Sequence, residues 1–208
     1  MSVRVEFFYD LSSPWTRIAF ANFREGIAGR DVVVTWRPFL VGGVFNAVNQ
    51  SVYESRANPD NPKFRLSFTW LKEWARLAGV AMNFPSSHHP VKSVHAMRFC
   101  CALEEQPEDL LQFSEAAFEA YFGEARNIDD PEVLEDIANG CGLDGAALRA
   151  ASASEAVKAR LRASTEEAIA RGAFGSPTIF VDGAFMYFGN DQLPLVMQRI
   201  VMMEAGRT

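Results

Sequence analysis

The most restrictive feature of the sequence is the spacing of its first two strand-like runs. Val3-Arg4-Val5-Glu6-Phe7-Phe8-Tyr9 and Val32-Val33-Val34-Thr35-Trp36 are short, β-branched and aromatic, the composition of buried strands. Between them Ser13 sits where a helix cap belongs and Pro14 at the first helical position. Ile18, Ala19, Phe20 and Phe23 recur at helical spacing, and Gly26 and Gly29 end the run. Two strands joined by a helix of about a dozen residues form a right-handed parallel crossover, because a hairpin has no room for the helix.

The opposite end of the chain carries the complementary signal. Thr178-Ile179-Phe180-Val181 and Phe185-Met186-Tyr187-Phe188 flank Asp182-Gly183-Ala184, which predicts an antiparallel hairpin, with a last helix from about Asn190 to Met203. From Lys63 to Gly172 the pattern is helical, over Leu66–Leu77, Val91–Leu103, Glu108–Phe122, Pro131–Asn139, Ala146–Ala150 and Glu155–Arg171. Asp130 before Pro131 and Ser152 three residues before Glu155 read as start signals, and Gly172 as a stop. Phe39–Pro62, rich in Gly, Asn, Ser and Pro, predicts a long loop beside the site. The order β-α-β, helices, β-β-α is the thioredoxin plan with a large all-helical insertion: residues 1–62 and 173–208 form the thioredoxin-like domain and 63–172 the insertion.

Composition narrows the function classes. A chain of 208 residues, 49% of them hydrophobic, can bury a substantial core. The net charge of -6 supplies no basic field for phosphate backbones, so no nucleic-acid partner is expected, and an anionic substrate needs local positive charge. No apolar run approaches the roughly 20 residues of a membrane span, and the start of the sequence carries no export signal. Cys100, Cys101 and Cys141 do not make a disulfide framework, which points to a reducing, cytoplasmic setting. His88, His89 and His95 match no zinc spacing, so no metal site is expected.

Tyr9-Asp10-Leu11-Ser12-Ser13-Pro14-Trp15-Thr16 puts Ser13 and Thr16 where a Cys-Pro-Trp-Cys redox turn has its thiols. A serine and a threonine form no disulfide, so redox chemistry of the turn itself is excluded. A hydroxyl remains beside the unpaired N–H groups and positive end of a helix, a place suited to an anion such as a thiolate. Ordinary capping explains Ser13 equally well at this level. Gly172-Ala173-Phe174-Gly175-Ser176-Pro177-Thr178 leads into a strand, and a cis bond before Pro177 would turn the Ser176 backbone toward Ser13 to receive a peptide-like ligand. A plain loop with a trans proline is the alternative. In Phe188-Gly189-Asn190-Asp191, Asn190 reads as the cap of the final helix and Asp191 as an acid in its first turn.

Taken in order, Phe8-Tyr9-Asp10…Ser13-Pro14-Trp15, Trp36-Arg37-Pro38-Phe39-Leu40…Gly42-Gly43-Val44-Phe45, Pro90…His95-Ala96-Met97-Arg98, Gly172–Thr178 and Phe188–Asp191 resemble the kappa-class glutathione transferases and, more closely, the bacterial 2-hydroxychromene-2-carboxylate isomerases. The resemblance spans almost the whole chain. It implies a DsbA-like thioredoxin fold, a homodimer, glutathione as cofactor, a small aromatic-derived substrate, and Ser13 as the catalytic residue that stabilises the thiolate. It further implies glutathione contacts from Pro14, Trp15, Asn49, Lys63, Ser176, Pro177, Asn190 and Asp191, with Asn190 on the γ-glutamyl carboxylate and Asp191 on its ammonium. Where the family often carries Gly-Asn-x-Pro-Pro, this chain reads Ala47-Val48-Asn49-Gln50-Ser51-Val52-Tyr53. Trp36, Phe39, Phe45 and the aromatics of Phe64–Trp74 are candidates for an aromatic pocket, and Arg98 for offsetting a substrate acid group. Three readings follow: an isomerase that regenerates glutathione, a transferase that forms stable conjugates, and a non-catalytic thioredoxin-like peptide-binding module.

Overall fold

Strand β1 (Val3–Tyr9) lies at the heart of the molecule, in a computed structural model that describes residues 2–53 and 60–206. Among these residues the sheet has four strands in the order β2-β1-β3-β4, with β2 at Val32–Pro38, β3 at Thr178–Val181 and β4 at Phe185–Phe188. β1 pairs in parallel with β2, from Val3 opposite Val32 to Tyr9 opposite Pro38, and antiparallel with β3, where Phe7 faces Ile179. β3 and β4 form the expected hairpin, with Asp182 and Gly183 both left-handed at its tip.

Because β1 is central, its last three residues are buried on both faces of the sheet. Phe7 and Tyr9 project to one side, where Phe20, Phe23 and Trp36 pack at ring separations of 4.9–6.4 Å. That side is covered by α1 (Pro14–Gly26) and α9 (Leu193–Glu204), which bury Ala19, Phe20, Phe23, Val196 and Ile200. Phe8 projects to the other side, against Phe39 and Phe180, and is closed over by Val44 of α2 (Val41–Val48) and Ala168 of α8 (Glu155–Ala170).

The remaining helices are α3 (Pro62–Leu77), α4 (Val94–Ala102), α5 (Pro107–Phe118), which runs into a π-helical turn at Glu119–Gly123, α6 (Pro131–Gly140) and α7 (Gly145–Ser152). Phe99, Phe118 and Leu134 from this block join the same apolar cluster as Phe7 and Trp36. Buried Arg17 ties α1 to the block: Nε donates to the Ala81 carbonyl at 2.9 Å, and the guanidinium pairs with Glu119 of the π turn. No described helix is long and apolar enough to cross a membrane.

Three local expectations are corrected. Phe39–Pro62 is not loop throughout, since Val41–Val48 is helical: Val41 and Val44 supply an apolar edge that the sheet can bury. Residues 54–59 of that stretch lie outside the described residues. The cap of α8 is Ser154, whose Oγ accepts from Val157 N at 3.3 Å, whereas Ser152 closes α7 with its hydroxyl on Arg149 O. Asn190 does not cap the final helix. It begins a 3-10 turn after Gly189, and its Oδ1 accepts from Asn22 Nδ2 at 2.9 Å.

The fully buried Tyr9 hydroxyl meets Ser114 Oγ at 2.8 Å and so joins the sheet to α5. Removing either partner takes this hydrogen bond from a dry interior and leaves the other only the weak Cys100 thiol, whose Sγ lies 3.7 Å from Ser114 Oγ, at about 1–3 kcal/mol. Tyr9→Phe and Ser114→Ala are each expected to lower unfolding free energy, and the double variant to lose about 0.5 kcal/mol or more less than the sum of the singles, measured by urea unfolding.

Candidate active site

The site begins at the end of β1, where the chain turns into α1. Asp10 is fully buried there and its carboxylate collects four donors. Ser12 N and Ser12 Oγ reach Oδ1 at 2.9 and 2.7 Å, and Val41 N and Ser93 Oγ reach Oδ2, each at 2.9 Å. Ser12 lies in the turn before α1, Val41 is the first residue of α2 and Ser93 is the N-cap of α4. Asp10 is thus placed where three helices start, and a helix start is where backbone N–H groups and the positive end of the dipole favour an anion. Burial nonetheless pushes its carboxyl above the ordinary 3.8, outweighing the donors from Ser12, Val41 and Ser93.

Ser13 follows as the N-cap of α1, with its Oγ accepting from Thr16 N at 3.2 Å. The same hydroxyl donates to the Ser176 carbonyl at 3.1 Å. The Ser176–Pro177 peptide is cis, and Ser176 is fastened from two sides: its Oγ accepts from Asp10 N at 3.0 Å and lies 2.7 Å from Thr16 Oγ1. The two hydroxyls that stand in for redox thiols therefore each grip the same residue. Capping and convergence with Ser176 coexist at Ser13.

Beside this turn opens a cleft of about 290 Å³. Ser12, Ser13, Pro14 and Trp15 form its floor, Gly175, Ser176 and Phe188 one wall, and Phe45, Asn49 and Val52 another. The last wall comes from the helical block: Phe64, Ser67, Phe68 and Leu71 of α3, with Phe84 and His89 from the loop before α4. Gly175 lets the Phe188 ring lie close over the backbone, since a Cβ at that position would stand 2.4 Å from it and displace it.

Of the residues named from the sequence, Ser13, Pro14, Trp15, Asn49 and Ser176 line this cleft. Asn49 is also fastened, with Nδ2 on the Phe174 carbonyl at 2.9 Å. Pro177 stands directly behind Ser176, and its carbonyl accepts from Gly189 N at 3.1 Å, which brings Asn190 and Asp191 close behind Phe188 without placing them in the wall. Asn190 is buried, and its Nδ2 has no partner among the described residues, while Asp191 is exposed. Lys63 is exposed in the first turn of α3 and does not line the cleft. Trp36 and Phe39 belong to the core rather than to the pocket, because the strand end that carries them is covered on both faces. Trp74 and Arg98 are also absent from the wall.

Asp10 and His89 were missed as site residues. Asp10 reads in sequence as a turn former, although its place between a fully apolar strand end and a serine two residues on is the signature of a buried Asx turn. His89 stands out in the sequence only beside His88, as a histidine pair of no zinc spacing, and among the described residues no three His, Cys, Asp or Glu side chains gather to hold an ion. The cysteine nearest the turn gives no nucleophile, since burial pushes the Cys100 thiol up to about 12.

A thioredoxin-type sheet with a cis-proline loop facing a Ser-Pro-Trp-Thr helix start defines the class. The chain belongs to the DSBA-like thioredoxin domain family, whose model matches residues 4–201. It is 26% identical over 200 residues to 2-hydroxychromene-2-carboxylate isomerase of Sphingobium xenophagum, covering 93% of this chain and 95% of that one. It is 29% identical over 202 residues to glutathione S-transferase kappa 1 of Rattus norvegicus, covering 92% and 88%. Among solved structures, a 2-hydroxychromene-2-carboxylate isomerase superposes with a TM-score of 0.80 at 24% identity, covering 98% of both chains.

Asp10 gives a signed pH test. Its folded-state value is raised, so its contribution to stability is greatest below the ordinary aspartate range and is lost as pH rises through the raised value. Asp10→Asn removes that titration. The unfolding free energy of the native protein minus that of Asp10→Asn is therefore expected to fall as pH rises from about 3 to about 7, followed by urea unfolding.

Proposed function

We propose that the protein is a glutathione-dependent isomerase of the 2-hydroxychromene-2-carboxylate isomerase type. The observation that carries this reading is the hydroxyl of Ser13, poised between a helix start and the Ser176 carbonyl at the floor of an apolar cleft. The residues present suit the cofactor. Gly175 and Ser176 bring backbone into the cleft beside Ser13, Asn49 supplies an amide, and Asn190 has an unpartnered buried donor just behind Phe188. On this reading Pro14, Trp15, Asn49, Ser176 and Pro177 contact the tripeptide near its sulfur. Asn190 and Asp191 hold its γ-glutamyl end, and Lys63 attracts a carboxylate from the rim.

When bound, glutathione would supply a thiolate able to add reversibly to an electron-poor carbon of the co-substrate and so allow a bond there to rotate. Ser13 sets how much of that thiol is ionised. To donate to sulfur, its single proton must leave the Ser176 carbonyl, so a neutral hydrogen bond of about 1 kcal/mol is exchanged for a charge-assisted one of about 1.5–3 kcal/mol. The net preference of roughly 0.5–2 kcal/mol corresponds to about one pKa unit. An ionised Asp10 would oppose a second anion at the same helix start. The four donors on its carboxylate, from Ser12, Val41 and Ser93, disperse that charge and lessen the repulsion. The aromatic walls exclude water from the reacting centre and orient a planar co-substrate.

The test is a calorimetric titration with glutathione at millimolar concentration, followed by turnover of a hydroxychromene carboxylate. Binding with catalytic rather than stoichiometric glutathione supports the isomerase, a stable conjugate supports a kappa-type transferase, and no binding leaves the peptide-binding module. Ser13→Ala is expected to raise the pKa of the bound thiol by about one unit, read from thiolate ultraviolet absorbance, and to lower kcat more than glutathione affinity.

A further inference from the structure

His89 is the one titratable side chain among the described residues lining the cleft. It is half-buried, its backbone N bonded to the Ser86 carbonyl at 3.0 Å and its ring edge-on to Phe84 at 4.6 Å. Phe84 in turn stacks on Phe68 at 5.5 Å, and Phe68 meets Phe64 at 4.8 Å, so the imidazole ends a row of aromatic rings. A second cavity of about 310 Å³ adjoins the first and shares Ser12, Val41, Phe45 and His89 with it. Exposed Lys92 lines that second cavity.

This arrangement has a chemical direction. The first cleft is apolar and aromatic, suited to a flat ring, and its described lining holds no lysine or arginine. The chain as a whole carries a charge of -6, so an acidic co-substrate enters against a negative field and needs a local donor. Arg98, the candidate from sequence, does not reach the cleft. Imidazole carries an N–H donor whether neutral or charged, and here it marks the passage toward Lys92.

We propose that His89 selects the co-substrate: it hydrogen-bonds the carboxylate of an aromatic acid whose ring lies against Phe68 and Phe84, with the acid group directed toward Lys92. The proposal rests on the glutathione reading above for the identity of the other reactant. It makes His89 a specificity-determining residue, while Ser13 remains the one that handles sulfur.

The experiment compares two acceptors with one ring, a chloronitrobenzoate and its methyl ester. In each the glutathione sulfur displaces chloride: a C–S bond forms, and the C–Cl bond breaks with its electron pair leaving on chloride. The native protein is expected to favour the acid. His89→Phe keeps a ring against Phe84 but has no donor, and should lower kcat/KM for the acid about tenfold or more, mainly through KM, while the ester changes less than about threefold. His89→Gln keeps a donor and loses the ring, and should recover most of the acid preference. A merely structural His89 gives the reverse order, with Phe harmless and Gln damaging to both acceptors alike, and that result overturns the proposal.

If the native protein consumes neither acceptor, as expected of an isomerase that leaves no sulfur on its product, the glutathione reading is decided by the calorimetric titration above and His89 by binding alone. Quenching of tryptophan fluorescence then measures binding of the acid and of the ester. Preference for the acid that vanishes in His89→Phe upholds the assignment, and no preference in the native protein overturns it.

Discussion

The rest of the site depends on one buried carboxylate. Asp10 bonds through its side chain to the turn before α1, to the first residue of α2 and to the N-cap of α4, and through its own N–H to Ser176. Four segments that are distant in sequence are thereby held about one residue. Burying a carboxylate costs several kcal/mol, and charge-assisted hydrogen bonds of about 1.5–3 kcal/mol each offset it only when they come as a set. That makes the arrangement cooperative: losing one arm raises the cost of keeping the others. It also explains how the Ser13 turn keeps its shape although half of its lining belongs to helices outside the sheet.

The turn itself is a thioredoxin-type helix start from which the thiols have gone. Ser13 and Thr16 hold Ser176 by hydrogen bonds instead of alternating between dithiol and disulfide, and the nearby cysteines are buried with raised thiol values. A hydroxyl at this place donates one proton and accepts others, so it can shift a hydrogen bond from a carbonyl to an incoming anion without any change in its own oxidation. The proposed chemistry follows from that difference, with the sulfur arriving on the ligand.

The apolar side of the cleft is built differently from its floor. The floor is tied by hydrogen bonds into the most buried part of the fold, whereas α3 is anchored by a small cluster of Leu71 and Ala75 on Ile18, and Leu66, Trp70 and Leu77 on it stay exposed. Few buried contacts mean a low cost of local opening. Rigid polar floor and loosely held aromatic wall suit a site that positions one reactant firmly and admits a second, flatter one.

Much of this was legible in the chain. The strand–helix–strand spacing, the Asp182-Gly183 hairpin and the Ser13-Pro14 helix start are local properties, encoded in side-chain period, turn conformation and capping, and the sequence by itself determined them. The presence of α2 and the true cap of α8 were not legible, because an apolar edge of two valines and a serine two residues away are weak signals until the sheet is there to bury them. The buried setting of Asp10, the place of His89 in the cleft wall, and the exclusion of Trp36, Phe39, Lys63 and Arg98 from it were decided only by the tertiary structure. Whether a polar side chain is a turn former, a buried anchor or a pocket residue depends on which distant backbone groups and rings surround it, and those arrive only when residues far apart in sequence pack together.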